Sequence, residues 1–322
     1  MTQCLRALRA YVWSVWALAD RAKRIWLRAR RAAQWCATLI GNGYAAGFMN
    51  GRIYTGAGKR LCLPGLNCYS CPGALGSCPI GSLQAVLGSR SFSFSWYVAG
   101  ALIFFGALLG RAVCGWLCPF GLLQELIHRI PLPRRLRQLR RRSLPGHRGL
   151  KWLKYAVLVG FVIIAPLFAV DIVGQGSPWF CKYICPAGTL EGGWTLALLD
   201  AQVRGALGAL YAWKSALLIA LILLSLFIYR PFCKYLCPLG AIYSPFNRVA
   251  LVRLRVDAER CTGCGACSRA CPMSVDVRRD CNSAECIRCG ECIRACSAGA
   301  IDTVNHLPRR RKGGAAARKP ER

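Results

Sequence analysis

Four stretches of the 322-residue chain are uncharged or nearly so: Ala32 to Gly51, Ser91 to Gly110, Tyr155 to Val170 and Ser215 to Tyr229, each with Lys or Arg on at least one side. A membrane span needs about 20 mostly apolar residues. The second stretch has that length, and the last two reach it when extended to Gly174 and back to Gly205; the first, interrupted by Asn42 and several glycines, is the weakest. Ahead of them, Leu5, Leu8, Val12, Val15 and Trp16 recur at helical spacing among arginines. That pattern predicts an amphipathic helix over 1–31 lying on the inner membrane surface, and the arginines throughout argue against a cleavable signal peptide. The expected fold is mainly α: a four-helix transmembrane bundle over 32–248, a small α+β domain over 249–303, and a basic disordered tail over 304–322.

Charge orients the spans. Lys and Arg number 44 against 13 Asp and Glu, a formal net charge of +31. Such an excess fits either nucleic acid or the basic loops beside membrane helices. Between Pro119 and Lys151 stand Arg129, Arg134, Arg135, Arg137, Arg140, Arg141, Arg142 and Arg148 against Glu125 alone, which puts this loop in the cytoplasm by the positive-inside rule. The stretch from Val173 to Trp213 is nearly balanced, as expected outside. Four spans then leave both termini in the cytoplasm, with no nucleic acid as partner.

The 21 cysteines change the picture from a membrane protein to a redox protein. "CTGCGACSRACP" holds Cys261, Cys264, Cys267 and Cys271, and "CIRCGECIRACS" holds Cys286, Cys289, Cys292 and Cys296. Both follow the C-x2-C-x2-C-x3-C run of two-cluster ferredoxins, in which the fourth Cys of each run serves the other cluster. One 4Fe-4S cluster is therefore expected on Cys261, Cys264, Cys267 and Cys296, a second on Cys286, Cys289, Cys292 and Cys271. A cytoplasmic disulfide framework is disfavoured, and zinc ribbons repeat pairs rather than interlocking quartets. Cys281 reads as a spare thiol, Cys4 and Cys36 as inert ones.

An internal repeat supplies more: "CPIGSLQ" from Cys78, "CPFGLLQ" from Cys118, "CPAGTLE" from Cys185 and "CPLGAIY" from Cys237. In the last three a partner precedes by four, giving Cys114/Cys118, Cys181/Cys185 and Cys233/Cys237. Spacing of i and i+4 puts two thiols on one helical face, Pro stops the helix, and Gly lets backbone approach a cluster. Each pair brings two ligands, so pairs must combine. The four repeats alternate outside, inside, outside, inside, which gathers Cys114, Cys118, Cys233 and Cys237 into a third cluster at the cytoplasmic membrane end. Outside, Cys181 and Cys185 can join two of Cys62, Cys68, Cys71 and Cys78 for a fourth, with Cys71 and Cys78 favoured because Cys78 sits in the repeat. The two left over fit a disulfide; alternatively Cys62, Cys68, Cys71 and Cys78 hold a cluster by themselves.

These elements, "CGWLCPFG" and "CKYLCPLG" followed by "CTGCGACSRACP", resemble the NapH and CcoG (RdxA/FixG) family of membrane-bound polyferredoxins, similar in turn to the C-terminal half of NosR. The resemblance covers about 32–303, and the third pair with "LCLPGLNCYSCPGALGSCP" looks like the YccM-like branch. It implies an inner-membrane electron-transfer protein with a cytoplasmic ferredoxin domain, working between quinols or cytoplasmic donors and a periplasmic redox partner.

The leading expectation is an electron wire from the ferredoxin clusters through the inner cluster to the outer one and on to an exported flavoprotein or reductase. A hydrocarbon core of about 30 Å is wide for tunnelling, so the C-P-x-G turns must dip into it. The alternative is quinol oxidation with quinone as a second cofactor, Glu125 and His128 moving protons; read blandly, those two are solvated, and Asp171 and Glu191 hold surface lysines or water. A redox sensor or assembly factor is a third class, for which no output domain is visible. No Ser-His-Asp set, phosphate loop or dinucleotide fingerprint points to a self-contained catalyst.

Overall fold

The computed structural model describes residues 29–89, 96–169 and 176–305. Most of the expected amphipathic helix, Cys4, Asp171 and nearly all of the basic tail lie outside them.

The described chain is mainly helical, with one two-stranded sheet. Two helical runs are long and apolar enough to cross a membrane, His147–Phe168 and Ala209–Phe227. At 1.5 Å per residue they measure about 33 and 28 Å, close to a hydrocarbon core of about 30 Å. Trp96–Leu109 is apolar but reaches only about 21 Å. The first expected span is not one helix. Helix 29–41 ends before Asn42, and the short Ala45–Asn50 follows. Arg30 and Gln34 are buried on that first helix, which turns them inward to protein. On the two long runs and Trp96–Leu109, large apolar side chains such as Phe104, Val159, Phe168, Trp213 and Leu223 face outward. Water would penalise such an unpartnered apolar surface; lipid would not.

Short helices fill the space between the long ones. Pro238–Tyr243 packs against Trp96–Leu109, Leu153–Val157 and Pro79–Leu87, while Ala209–Phe227 lies along Pro119–Arg129 and Gly188–Trp194. Strand β1 (Val252–Val256) runs antiparallel to β2 (Ile301–Asn305), pairing Val252 with Asn305 and Val256 with Ile301. This sheet ties both ends of the C-terminal segment. Between its strands, two single-turn helices, Ala266–Ala270 and Glu291–Ala295, pack on each other. Each follows a glycine with positive φ, Gly265 at 69° and Gly290 at 81°, a backbone state that glycine adopts without steric penalty.

Candidate iron–sulfur centres

The C-P-x-G turn is a helix start as much as a helix stop. Cys78, Cys118 and Cys237 are extended N-caps, with the following proline in the first turn of the next helix, where its missing N–H is no loss. Cys114 and Cys233 lie in the short helices Ala112–Trp116 and Pro231–Tyr235. The two thiols of a pair therefore straddle a break instead of sharing one helical face. In all four repeats the N–H of the glycine, three residues on, faces the cysteine sulfur: Gly81 to Cys78, Gly121 to Cys118, Gly188 to Cys185 and Gly240 to Cys237. Such donors suit a thiolate.

Cys114, Cys118, Cys233 and Cys237 are buried and face one another across the pseudo-symmetric pairs. Two buried arginines, each three residues ahead of a pair, cross over. Arg111 donates to Cys233 O at 3.0 Å, and Arg230 donates to Cys114 O. Their guanidinium groups explain two of the repeat glycines: a Cβ on Gly121 would stand 2.8 Å from Arg230 Nη1, and one on Gly240 3.2 Å from Arg111 Nη2. Each arginine has a buried carboxylate. Arg111 meets Glu285 at 2.8 Å, a residue that also binds Lys154. Glu125 takes Arg30 and the Tyr229 hydroxyl, and Arg230 Nη2 lies 2.8 Å from the same oxygen as a charge contact rather than an aligned hydrogen bond.

Of the six cysteines expected outside, the structure gathers Cys68 and Cys78 with Cys181 and Cys185, called here the outer quartet. Cys185 faces the other three, and Cys68 faces Cys78 and Cys181. A Cβ on Gly192 would come to 3.4 Å from Cys68 Sγ, so the helix carrying it presses directly on that thiol. The expected partner Cys71 instead faces Glu191 and Lys59, and Cys62 lies toward Cys78 and Tyr243. Counting back from the repeat misleads because the chain turns between Cys68 and Cys71 and points the two thiols differently. All six of these cysteines are free thiols in the structure.

The two quartets are neighbours, not occupants of opposite membrane faces. The N–H of Leu66 faces Cys118 and the N–H of the next residue, Asn67, faces Cys78. One peptide unit and two N–H···S contacts span on the order of 10 Å. A Cβ on Gly65 would stand 3.1 Å from Cys118 Cα, so this loop is tight against the inner pair. Tyr243, fully buried and donating to Pro64 O at 3.2 Å, sits among Cys114, Cys118, Cys62 and Cys78.

In the C-terminal segment, one small cavity is lined by Cys261, Cys264, Cys267 and Cys296, and another by Cys271, Cys286, Cys289 and Cys292. Each takes its fourth thiol from the other run. Among the described residues no three His, Cys, Asp or Glu side chains close tightly enough for a single metal ion. Thiols arranged around a cavity suit a cubane core instead, and these residues fit that group. Cys281 stays apart, its thiol donating to Leu254 O.

The second cavity abuts the inner quartet. Trp116 donates to Arg288 O at 3.1 Å, Arg30 bridges Gly115 O and Cys289 O, and Arg111 also donates to Ala284 O. Gly115 permits the contact, since a Cβ there would lie 2.2 Å from Ile287 O. Gly115→Ala is expected to push the C-terminal segment off the inner quartet, seen as faster proteolytic release of that segment with its iron retained.

Sequence reasoning passed over Arg111, Arg230, Glu285, Gln84, Gln124 and Tyr243. A signal existed for three of them: Gln84, Gln124 and Tyr243 occupy the seventh position of the quoted repeats, as does Glu191. Neither acidic residue is solvated. Glu191 is half-buried and accepts from the Cys68 N–H at 2.6 Å, while Glu125 is 1% exposed. Burial alone would raise the Glu125 pKa, but Arg230 and Arg30 hold it below the ordinary carboxylate value. His128 is half-buried, with Nδ1 3.0 Å from Ser225 O; a carbonyl only accepts, so Nδ1 carries the proton.

Four cysteine quartets on paired turns and a two-run ferredoxin segment define a polyferredoxin. A 4Fe-4S binding domain model matches residues 92–142, 153–197 and 211–256, and a second one matches 254–275. An uncharacterised protein of Methanocaldococcus jannaschii is 33% identical over 184 residues, 55% of this chain and 58% of that one. YccM of Escherichia coli K12, named for electron transport, is 30% identical over 188 residues, 55% of this chain and 45% of its own. The regulatory protein NosR of Pseudomonas aeruginosa is 32% identical over 170 residues, 52% of this chain and 21% of its own. The chain thus spans less than two thirds of the length of each of these relatives. No solved structure matches. Over about half of its length the chain is thus similar to the NosR-like and YccM-like polyferredoxins.

Proposed function

We propose that the protein is an iron–sulfur electron relay of the bacterial inner membrane, with four 4Fe-4S groups in series. The single observation that carries this reading is the contact order: distal quartet (Cys261, Cys264, Cys267, Cys296), proximal quartet (Cys271, Cys286, Cys289, Cys292), inner quartet (Cys114, Cys118, Cys233, Cys237) and outer quartet (Cys68, Cys78, Cys181, Cys185), each touching the next through protein. When bound, the clusters supply one-electron redox chemistry. The chain itself holds the thiols in place, aims N–H donors at them and keeps water out of the two helical quartets, whose eight cysteines are buried apart from Cys68 and Cys181, which are half-buried.

In this reading 32–248 is the membrane domain, a bundle of up to four spans, and 249–303 is a ferredoxin domain on its cytoplasmic side, both termini being cytoplasmic. The donor is a cytoplasmic carrier or a quinol, and the acceptor is a periplasmic redox partner such as a flavoprotein or reductase. The names of YccM, for electron transport, and of NosR, a regulatory protein, support the relay and the sensor reading respectively; quartets in contact favour the relay, since a sensor needs no continuous path.

Iron and acid-labile sulfide counting on anaerobically purified protein tests it. Content for four cubanes is expected, and content for only two would reduce the protein to an anchored ferredoxin. Cys68→Ser is expected to remove one cubane's iron and Cys71→Ser none; the reverse result would restore Cys71 as the outer ligand.

A second reading, quinol oxidation, is favoured by an apolar cleft of about 390 Å³ between Leu109, Trp116, Leu117, Leu254 and Arg288, beside both the inner and proximal quartets. It draws no support from Glu125, whose carboxylate is taken by Arg30, Arg230, Arg129 and Tyr229. Reduction of the clusters by a quinol analogue, abolished in Leu117→Trp, would establish it; no reduction by the analogue in the wild type would end it.

A further inference from the structure

Gln84 and Gln124 close the two helical quartets in the same way. They are the seventh residues of "CPIGSLQ" and "CPFGLLQ", and their side chains are buried at 0% and 3% exposure. Gln124 Oε1 accepts from the Phe232 N–H at 3.2 Å, and Gln84 Oε1 accepts from the Phe180 N–H at 3.0 Å. A backbone N–H only donates, so the atom it meets must be the amide oxygen, which fixes the direction of the NH2 group. That group stands 3.2 Å from Cys233 Sγ in the inner quartet and 3.2 Å from Cys181 Sγ in the outer one. Its other hydrogen goes one turn back, to Phe120 O or Ile80 O, at 3.3 Å in both cases. Each glutamine thus reads the residue before, and the sulfur of, the first cysteine in the opposing pair. Packing alone would not require an amide twice over with the same three kinds of partner.

We propose that Gln84 and Gln124 are positioning residues that raise the reduction potentials of the outer and inner groups, each by donating one N–H to a ligand sulfur. The inference rests on the four-group reading above. Reduction adds one negative charge to a cluster and its sulfurs. A donor already aimed at a sulfur stabilises that charge, and hydrogen bonds to sulfur are among the determinants of cluster potential. Removing the donor therefore makes the group harder to reduce, without removing a ligand.

The test is a dithionite titration of the intact protein in detergent, followed by electron paramagnetic resonance, on Gln84→Leu, Gln84→Met, Gln124→Leu and Gln124→Met. Methionine keeps the length of the side chain and discards the donor. Each substitution is expected to lower the midpoint of one signal, a different one for the two positions. The expected size is about tenfold in the reduced-to-oxidised ratio, which for one electron is about 59 mV. Iron-replete variants with unmoved midpoints overturn the inference. So does an equal shift of both signals by either substitution, or loss of iron from both the Leu and Met variants, since either makes the amide a general structural need. A wild-type protein lacking two signals beyond those of the C-terminal quartets overturns the four-group reading, and this inference with it.

Discussion

Replacing Glu125 by alanine is expected to destabilise the protein by about 3–5 kcal/mol, the usual penalty for removing one partner of a buried ion pair. Its carboxylate is the counter-charge of Arg30 and Arg230, whose side chains are almost wholly buried. Once it is gone, two guanidinium groups that cannot lose their protons remain in a low-dielectric site. The effect reaches the inner quartet, because Arg230 holds the Cys114 carbonyl and Arg30 ties Gly115 to Cys289. Thermal unfolding in detergent and iron content measure the two consequences, a lowered Tm and partial loss of the inner group's iron. Glu125→Gln should be milder in packing but still destabilising, since it keeps the shape and the Tyr229 contact while discarding the charge. An unchanged Tm in both variants would show that these arginines find water or other partners.

The second large effect is expected at Glu285. Alanine there strands Arg111 and Lys154, both fully buried, again at about 3–5 kcal/mol. The location of the damage differs. Arg111 joins the inner pair to the C-terminal segment through Cys233 O and Ala284 O, and Lys154 belongs to the run His147–Phe168. Losing their shared carboxylate should loosen the seam between proximal and inner quartets, so that the C-terminal quartets keep their iron while electron transfer onward from them slows. Stopped-flow reduction, monitored separately for the C-terminal and helical groups, distinguishes this from general unfolding. Equal slowing at every group would not.

Both carboxylates also set an acid limit. Burial pushes the two pKa values up, but their cationic partners outweigh it and hold both below the ordinary 4.5. A carboxylate with a depressed folded pKa contributes stability that is fully present above the unfolded value and is lost as pH falls through the folded one. Tm should therefore be level through neutral pH and begin to fall only below about pH 4.5, with the wild type falling more steeply than Glu125→Gln.

Much of the site was legible in the chain itself. The runs Cys261 to Cys271 and Cys286 to Cys296 place three thiols within seven residues, a spacing that covalent geometry alone makes suitable for one face of a cubane. The C-P-x-G repeat was equally visible, although its proline proved to open a helix and its glycines to make room for Arg111 and Arg230 as well as for sulfur. Two of the apolar stretches became helices of membrane length. The first did not, because Arg30 turns inward there to Glu125, Gly115 and Cys289, whose presence no local pattern announces.

What the amino-acid order determined by itself is everything held within a turn or two: which cysteines share a run, where helices begin, which segments are apolar. Only the folded chain decided which distant thiol closes each quartet, selecting Cys68 over Cys71, and that inner and outer quartets meet across the Leu66–Asn67 peptide instead of facing each other through a bilayer. It alone also paired Glu125 and Glu285 with cations far away in the chain. The reason is one of range: ligand spacing and helix caps follow from bonded geometry over a few residues, whereas burying a charge or completing a cage depends on which surfaces the apolar packing brings together.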